Sequence, residues 1–183
     1  MPVQQTSICV IANNRITVNG QTVFEQAPDS DFAAFAKAAF KNLELAYPKF
    51  YKMDRLCKLG FLAAEYLLYG DMACRPDEST AIVLCNSSSS LDSDLTHLQN
   101  AEQPSPAAFV YTLPNIVAGE IAIRHGIKGE TAFFISEHDD DPAVRQYTVN
   151  LLENGAASSC IAGWVDYADE QYLAKLYFLN IGY

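Results

Sequence analysis

Residues 115–135, NIVAGEIAIRHGIKGETAFFI, hold the pattern that decides the fold class. Small and apolar residues recur through Asn115–His125 and predict a helix. Gly126 is expected to end that helix, because glycine readily adopts the left-handed conformation found at helix termini. Thr131–Ile135 is a short apolar run of the kind that forms a buried strand. A helix followed within a few residues by an apolar strand is the repeating unit of an α/β fold.

The alternation of strands and helices continues on both sides of this stretch. Asn19-Gly20, inside the alternating segment Arg15–Val23, is a typical two-residue hairpin turn. The remaining elements are predicted from apolar spacing and terminating residues: strands over Ser7–Ala12, Thr80–Cys85, Ser159–Val165 and Ala174–Leu179, and helices over Phe32–Leu45, Met53–Leu68, Leu91–Gln99 and Pro142–Leu152. This order predicts a layered α/β fold, with a mostly parallel sheet and helices on both faces.

The composition limits the partners and the compartment. Because no repeat or long linker divides the chain, residues 1–183 are predicted to form a single domain. A formal charge of −10 disfavours nucleic acid and anionic membrane surfaces, since both attract clustered Lys and Arg. Met1–Ser7 has no basic segment followed by an apolar run, and no apolar run is long enough to span a bilayer, so a cytoplasmic protein is expected. Five cysteines without paired spacing and three histidines predict reduced thiols, no metal site and no cofactor.

Three segments resemble the N-terminal half of beta-ketoacyl synthases. The first is Lys52-Met53-Asp54-Arg55, which leads into an apolar helix. The second and most specific one runs through Ser105-Pro106, Leu113-Pro114-Asn115, Ala118-Gly119 and Gly126-Ile127-Lys128-Gly129, in the family's order and spacing. The third is Asn154-Gly155 followed by Ile161–Asp166. The resemblance covers the chain from about residue 50 to residue 167 and implies one half of a thiolase-like fold.

The resemblance also implies where a nucleophile would lie. In beta-ketoacyl synthases the strand after the Gly-Ile-x-Gly segment leads to a cysteine at a helix N-terminus, where backbone N–H groups lower the pKa of the thiol and stabilise an oxyanion. In this sequence that position falls at about His138, preceded by Ser136 and Glu137, and no cysteine lies between Cys85 and Cys160. The family's chain is also about twice as long, and its second half carries the histidines and lysine of decarboxylation. The resemblance therefore implies the fold without the condensing activity, and no catalytic residue is predicted.

Thr131–Ile135 is the predicted partner interface. In the thiolase fold the equivalent strand pairs with its symmetry mate across a dimer, so Thr131, Phe133, Phe134 and Ile135 are expected in the core or at an interface. A solitary half of such a fold is expected to expose apolar surface, which usually marks a partner. The expected partners are a second copy of the chain or a full-length ketosynthase subunit, with an acyl carrier protein as a further candidate.

Three hypotheses for the function stand at this point. The first is a non-catalytic accessory or binding subunit of fatty-acid or polyketide assembly, including polyene assembly. The second is an acyl-carrier-dependent enzyme with altered chemistry, in which His138 serves as a general base. The third is a relic that keeps the fold without a role in acyl metabolism.

Other polar segments have simpler structural interpretations. His138 with Asp139–Asp141 has the residue types of a catalytic base or a metal site, but consecutive carboxylates seldom converge on one ion and suit a helix N-cap. Ser87–Ser90 lacks the flanking glycines of a nucleophile elbow and is predicted to be a solvated turn. Lys52 and Arg55 suit either the phosphopantetheine of a carrier protein or an ordinary solvated helix end.

Overall fold

Seven strands hydrogen-bond into one sheet, in the order β3-β2-β1-β7-β6-β4-β5. The structure is a computed structural model that describes residues 2–69, 72–100, 102 and 105–182. The strands are β1 (Val3–Ala12), β2 (Arg15–Val18), β3 (Gln21–Glu25), β4 (Ala81–Asn86), β5 (Thr131–Ile135), β6 (Ser159–Ala168) and β7 (Gln171–Ile181). Strand β5 has the predicted bounds, whereas β1, β6 and β7 are longer than predicted.

Three two-residue hairpins create most of the antiparallel part of the sheet. Their turns are Asn13-Asn14, Asn19-Gly20 and Asp169-Glu170, and all six residues have positive φ, between 50° and 80°. This is the type I′ geometry, whose twist matches that of paired strands. Strand β1 also pairs antiparallel with β7, so parallel pairing is confined to β5-β4-β6. The predicted α/β class is confirmed, and the sheet is mixed because two-residue connections can join only antiparallel neighbours.

Six α-helices cover the two faces of the sheet, as predicted. They are α1 (Phe32–Asn42), α2 (Arg55–Leu68), α3 (Leu91–Gln99), α4 (Pro106–Val110), α5 (Ile116–His125) and α6 (Pro142–Glu153). Helices α1, α2 and α5 pack over the larger apolar core on one face, and α6 covers the smaller core on the other. No helix in the described part of the chain is long and apolar enough to cross a membrane.

Helix α2 lies at the centre of the larger core. Eleven of its fourteen residues are buried, because α2 is enclosed by the sheet, α1 and α5. One of them is Glu65, whose side chain is only 6% exposed. Its carboxylate accepts a hydrogen bond of 2.7 Å from Arg124 Nε and lies 3.3 Å from His125 Nε2. The two partners are on α5, so a buried ion pair links the two helices.

Gly163 allows β6 and β7 to approach closely. Its φ is 146°, which side-chain-bearing residues rarely adopt, and a Cβ at this position would lie 2.0 Å from the carbonyl oxygen of Lys175. The glycine belongs to the segment Ile161–Asp166, which resembles beta-ketoacyl synthases. Its physical role is therefore to admit the neighbouring backbone.

Candidate functional site

The carboxyl ends of the three parallel strands lie at one edge of the sheet. Asn86 of β4 is in register with Ile135 of β5, and Cys85 of β4 is in register with Trp164 of β6. Two turns leave this edge: residues 87–90 after β4, and residues 136–141 between β5 and α6. In open α/β sheets, ligands bind outside the carboxyl ends of the strands. This edge is therefore the candidate functional site.

The turn at residues 136–141 is organised by Ser136 and Asp141. Ser136 is buried; its backbone N–H donates to Asn86 O at 2.8 Å, and its hydroxyl donates to Asp141 Oδ2 at 2.7 Å. Asp141 Oδ1 accepts from the backbone N–H of Ala143 at 2.8 Å and so caps α6, as predicted from the sequence. The hydrogen bond from Ser136 and those from the helix backbone hold the pKa of Asp141 below its ordinary value.

His138 occupies an exposed position on this turn. Its backbone carbonyl lies 3.1 Å from Ser136 Oγ, and its backbone N–H donates to the same oxygen at 3.4 Å. The partly buried setting expected for a residue in the nucleophile's position is not found, because the turn leads outward before α6 begins. Glu137 is exposed as well. The described residues contain no group of three or more His, Cys, Asp or Glu placed to hold a metal ion.

Lys175 reaches the turn from β7. Its ammonium lies 3.0 Å from Asp139 Oδ2 and 5.8 Å from the ring centroid of Tyr177. The hydrogen bond to Asp139 raises the pKa of Lys175, followed in size by the contact with Tyr177. Lys175 is in register with Trp164 of the intervening strand β6. Sequence analysis missed Lys175, because a single lysine in an alternating strand carries no signal of what lies two strands away.

The serine turn after β4 is held by hydrogen bonds. Ser87 Oγ donates to Asp166 Oδ2 at 2.8 Å, and the backbone N–H of Ser88 donates to Asp166 Oδ1 at 3.3 Å. Ser90 Oγ donates to the carbonyl of Thr112 at 2.7 Å, and its side chain does not cap α3. The predicted turn is confirmed, but the predicted N-capping serine is wrong because Ser90 bonds to the chain after α4 instead.

The thiols are buried and free. All five cysteines are unpaired, and among them Cys85 is nearest the candidate site, with its Sγ 3.6 Å from Gly163 O. Burial, followed by the charges of Asp141, Asp139 and Asp166, raises the pKa of Cys85 to about 11. Burial likewise raises the pKa of Cys160 to about 12. These thiols are therefore protonated at neutral pH, which is the opposite of what a nucleophile requires.

Strand β5 lies at the edge of the sheet, and within the described residues it pairs with β4 alone. Phe133 packs against the larger core, and Phe134 packs against the smaller one, 5.2 Å from the ring of Tyr147. Thr131 is exposed, and Ile135 is 58% exposed. Of the four predicted interface residues, the two phenylalanines serve the cores, whereas Thr131, Ile135 and the free backbone edge face outward.

Arg55 is occupied by intramolecular contacts. Its guanidinium bonds both carboxylate oxygens of Asp92, at 3.0 and 3.1 Å, and lies 5.8 Å from the ring centroid of Tyr167. Lys52 remains exposed. Only Lys52 of this pair is thus available to an anionic carrier.

The fold is the thiolase-like fold of the ketosynthases. Superposition gives a TM-score of 0.74 with "The ishigamide ketosynthase/chain length factor" at 18% identity, covering 100% of this chain. A TM-score of 0.66 at 14% identity and 100% coverage is found with the ketosynthase ApeO in complex with its chain length factor ApeC from Xenorhabdus doucetiae. A beta-ketoacyl synthase from Burkholderia phymatum STM815 gives 0.60 at 13% identity over 98% of the chain.

The similarity is one of structure. The chain spans 63% of the first of these structures, 80% of the second and 59% of the third. No protein-family model and no curated protein matches the sequence. At such identities the comparison establishes the fold, as predicted from the motif series around Pro114–Gly129.

Proposed function

We propose that this protein is a ketosynthase-like accessory subunit of fatty-acid or polyketide assembly that does not itself form carbon–carbon bonds. It acts by binding a ketosynthase subunit, and an acyl carrier protein or its acyl chain is a further candidate ligand. The chain-length-factor complexes among its structural neighbours support this class of role, since one is titled as a ketosynthase with its chain length factor. Another is titled as a type II PKS acyl-carrier protein in complex with its ketosynthase.

The observation that carries the proposal is the turn between β5 and α6. Where the resemblance to beta-ketoacyl synthases places the nucleophile, this chain has a cap built from Ser136 and Asp141. A cap that already occupies the first backbone N–H groups of α6 leaves them less available to an oxyanion. The closest thiol, Cys85, is buried and has a raised pKa. Both features oppose acyl transfer to a cysteine at this edge.

The test is a condensation assay with purified proteins. This chain, the ketosynthase encoded beside it in the native genome, and their mixture are each given acyl- and malonyl-loaded carrier protein, and products are measured by mass spectrometry. We expect the chain alone to form no product, and the two proteins to elute together and extend the acyl chain. Product formation by this chain alone, or separate elution of the two proteins, contradicts the proposal.

Two variants separate this role from altered chemistry at His138. The complex is expected to retain its activity with His138→Ala, because the exposed ring is remote from any buried reaction site on this chain. Cys85→Ala is the matched control for the thiol. If the wild-type chain alone turns over an acyl carrier substrate and His138→Ala abolishes that turnover, the enzyme hypothesis replaces the accessory role.

A further inference from the structure

Helix α3 has its polar side against the protein and its apolar side in solvent. Leu91, Leu95 and Leu98 follow the i, i+4, i+7 spacing of one helix face, and they are 48%, 50% and 68% exposed. No residue of α3 is buried. A surface helix ordinarily turns its leucines towards the core. The orientation of α3 is therefore inverted.

Polar contacts hold α3 in this orientation. Ser93 Oγ donates to Asp54 Oδ2 at 2.5 Å, and Asp92 accepts both bonds from Arg55. Asp54 and Arg55 stand at the N-terminus of α2, which is the central helix of the larger core. The leucines are therefore presented outward by a helix that is anchored to a rigid element.

The apolar surface continues beyond α3 onto the next helix. Helix α3 packs against α4, and the rings of His97 and Phe109 lie 5.6 Å apart. We name the leucine patch from its six members, each between 44% and 68% exposed: Leu91, Leu95, Leu98, Phe109, Val110 and Leu113. Six large side chains at about half exposure present on the order of 500 Å², the size at which apolar patches mark interaction sites. By contrast, the outer face of α6 is polar, with Arg145, Gln146 and Asn150 exposed.

The charge around the leucine patch is of one sign. Residues 76–123 contain no Lys or Arg, while Asp94 and Glu102 flank the patch in sequence. Asp92 is already neutralised by Arg55. If two copies met through this surface, carboxylates would face carboxylates in a region without compensating lysines, which opposes association. A complementary surface is apolar at its centre and carries Lys and Arg at its rim.

We propose that the leucine patch is a docking surface for a different protein subunit, one with an apolar groove rimmed by basic residues, and that the acidic surround disfavours pairing with a second copy. The inference rests on the proposed accessory role and adds which surface binds and why the pairing is heteromeric. It does not depend on the edge of β5, which lies on another part of the fold.

The experiment measures binding to the ketosynthase encoded beside this chain, by calorimetry at low and high salt. We expect Leu98→Glu to weaken binding about tenfold or more, and Glu102→Lys to weaken it while reducing its dependence on salt. Val23→Glu is the matched control, since Val23 is 44% exposed on β3, outside the patch. It is expected to bind within about twofold of the wild type. Equal circular dichroism spectra show that the variants are folded.

The outcomes separate this inference from the function on which it rests. Wild-type affinity in Leu98→Glu overturns the leucine patch as the docking surface and leaves the accessory role standing. A wild-type chain that forms dimers by light scattering, and loses them in Leu98→Glu, overturns the heteromeric pairing. A wild-type chain that binds no ketosynthase at either salt concentration overturns both.

Discussion

The buried ion pair between α2 and α5 permits a test of whether burial or distance sets the stability of a salt bridge. Glu65 is 6% exposed and bonds Arg124 at 2.7 Å, whereas Glu78 and Lys128 form a shorter contact of 2.5 Å with side chains 72% and 68% exposed. Glu65→Gln leaves the guanidinium in a site built for a carboxylate. Complete loss of one partner in a fully buried pair costs about 3–5 kcal/mol. Because Arg124 is 27% exposed and the amide still accepts a bond, about 2–3 kcal/mol is expected.

The control is Glu78→Gln, for which about 0–0.5 kcal/mol is expected, since exposed ion pairs are screened by water and salt. The assay is urea unfolding at pH 7, with an unchanged m-value as evidence that only stability has changed. For a chain of this length the Glu65→Gln loss corresponds to a fall in Tm of roughly 4–12 °C. Equal losses for the two variants would refute the reasoning that burial decides.

The same pair has a defined dependence on pH. Burial raises the pKa of Glu65, but the bonds from His125 and Arg124 outweigh it and hold that pKa below the ordinary value of 4.5. A carboxyl group with a depressed folded-state pKa stabilises the protein above its unfolded pKa. That stabilisation is lost as the pH falls through the lower folded value. The difference between wild type and Glu65→Gln should therefore be constant above about pH 5 and shrink below pH 4.5, and a difference that grows on acidification would contradict this assignment.

Three further predictions concern the sheet and the site. Gly163→Ala should cost at least about 3 kcal/mol in urea unfolding, because its Cβ meets the backbone of β7. Gly119→Ala, with open space at the Cβ, should be neutral or slightly stabilising, so similar losses would argue against the contact. Iodoacetamide at pH 7.5 should leave Cys85 and the other thiols unmodified in native protein and label all five in urea, as counted by mass spectrometry; rapid native labelling of Cys85 would disprove its raised pKa. Lys175→Met should increase amide hydrogen exchange in residues 136–141 with less than about 1 kcal/mol lost globally. Unchanged exchange there would show that Asp139 does not need the ion pair to hold the turn.

Sequence reasoning identified most elements because their signals are local. The apolar run Thr131–Ile135 and the helix Leu91–Gln99 have the predicted bounds. Asn19-Gly20 forms the predicted hairpin because its residues tolerate positive φ without outside help. The motif series from Ser105 to Gly129 carried the fold assignment, which structural similarity confirms.

Two other hairpins were missed because their turns depend on distant contacts. Asn13-Asn14 closes β1 onto β2, and the Asn14 side chain donates to Ala27 O at 3.1 Å and Ser30 O at 2.7 Å while its backbone N–H donates to Tyr172 Oη. Asp169-Glu170 also adopts positive φ without a glycine. No property of either dipeptide alone distinguishes such a turn from an ordinary loop.

The sequence by itself determined the α/β class, the order of most strands and helices, the net negative charge and the lack of a cysteine between Cys85 and Cys160. These follow from periodicity, turn chemistry and composition, which act over a few residues. Only the tertiary structure decided the order of strands in the sheet, the contact of Lys175 with the turn before α6 and the outward orientation of the leucines of α3. Helical periodicity specifies that the leucines of α3 share one face, but the packing partners decide which way that face points, and here the bonds to Asp54 and Arg55 turn it to the solvent.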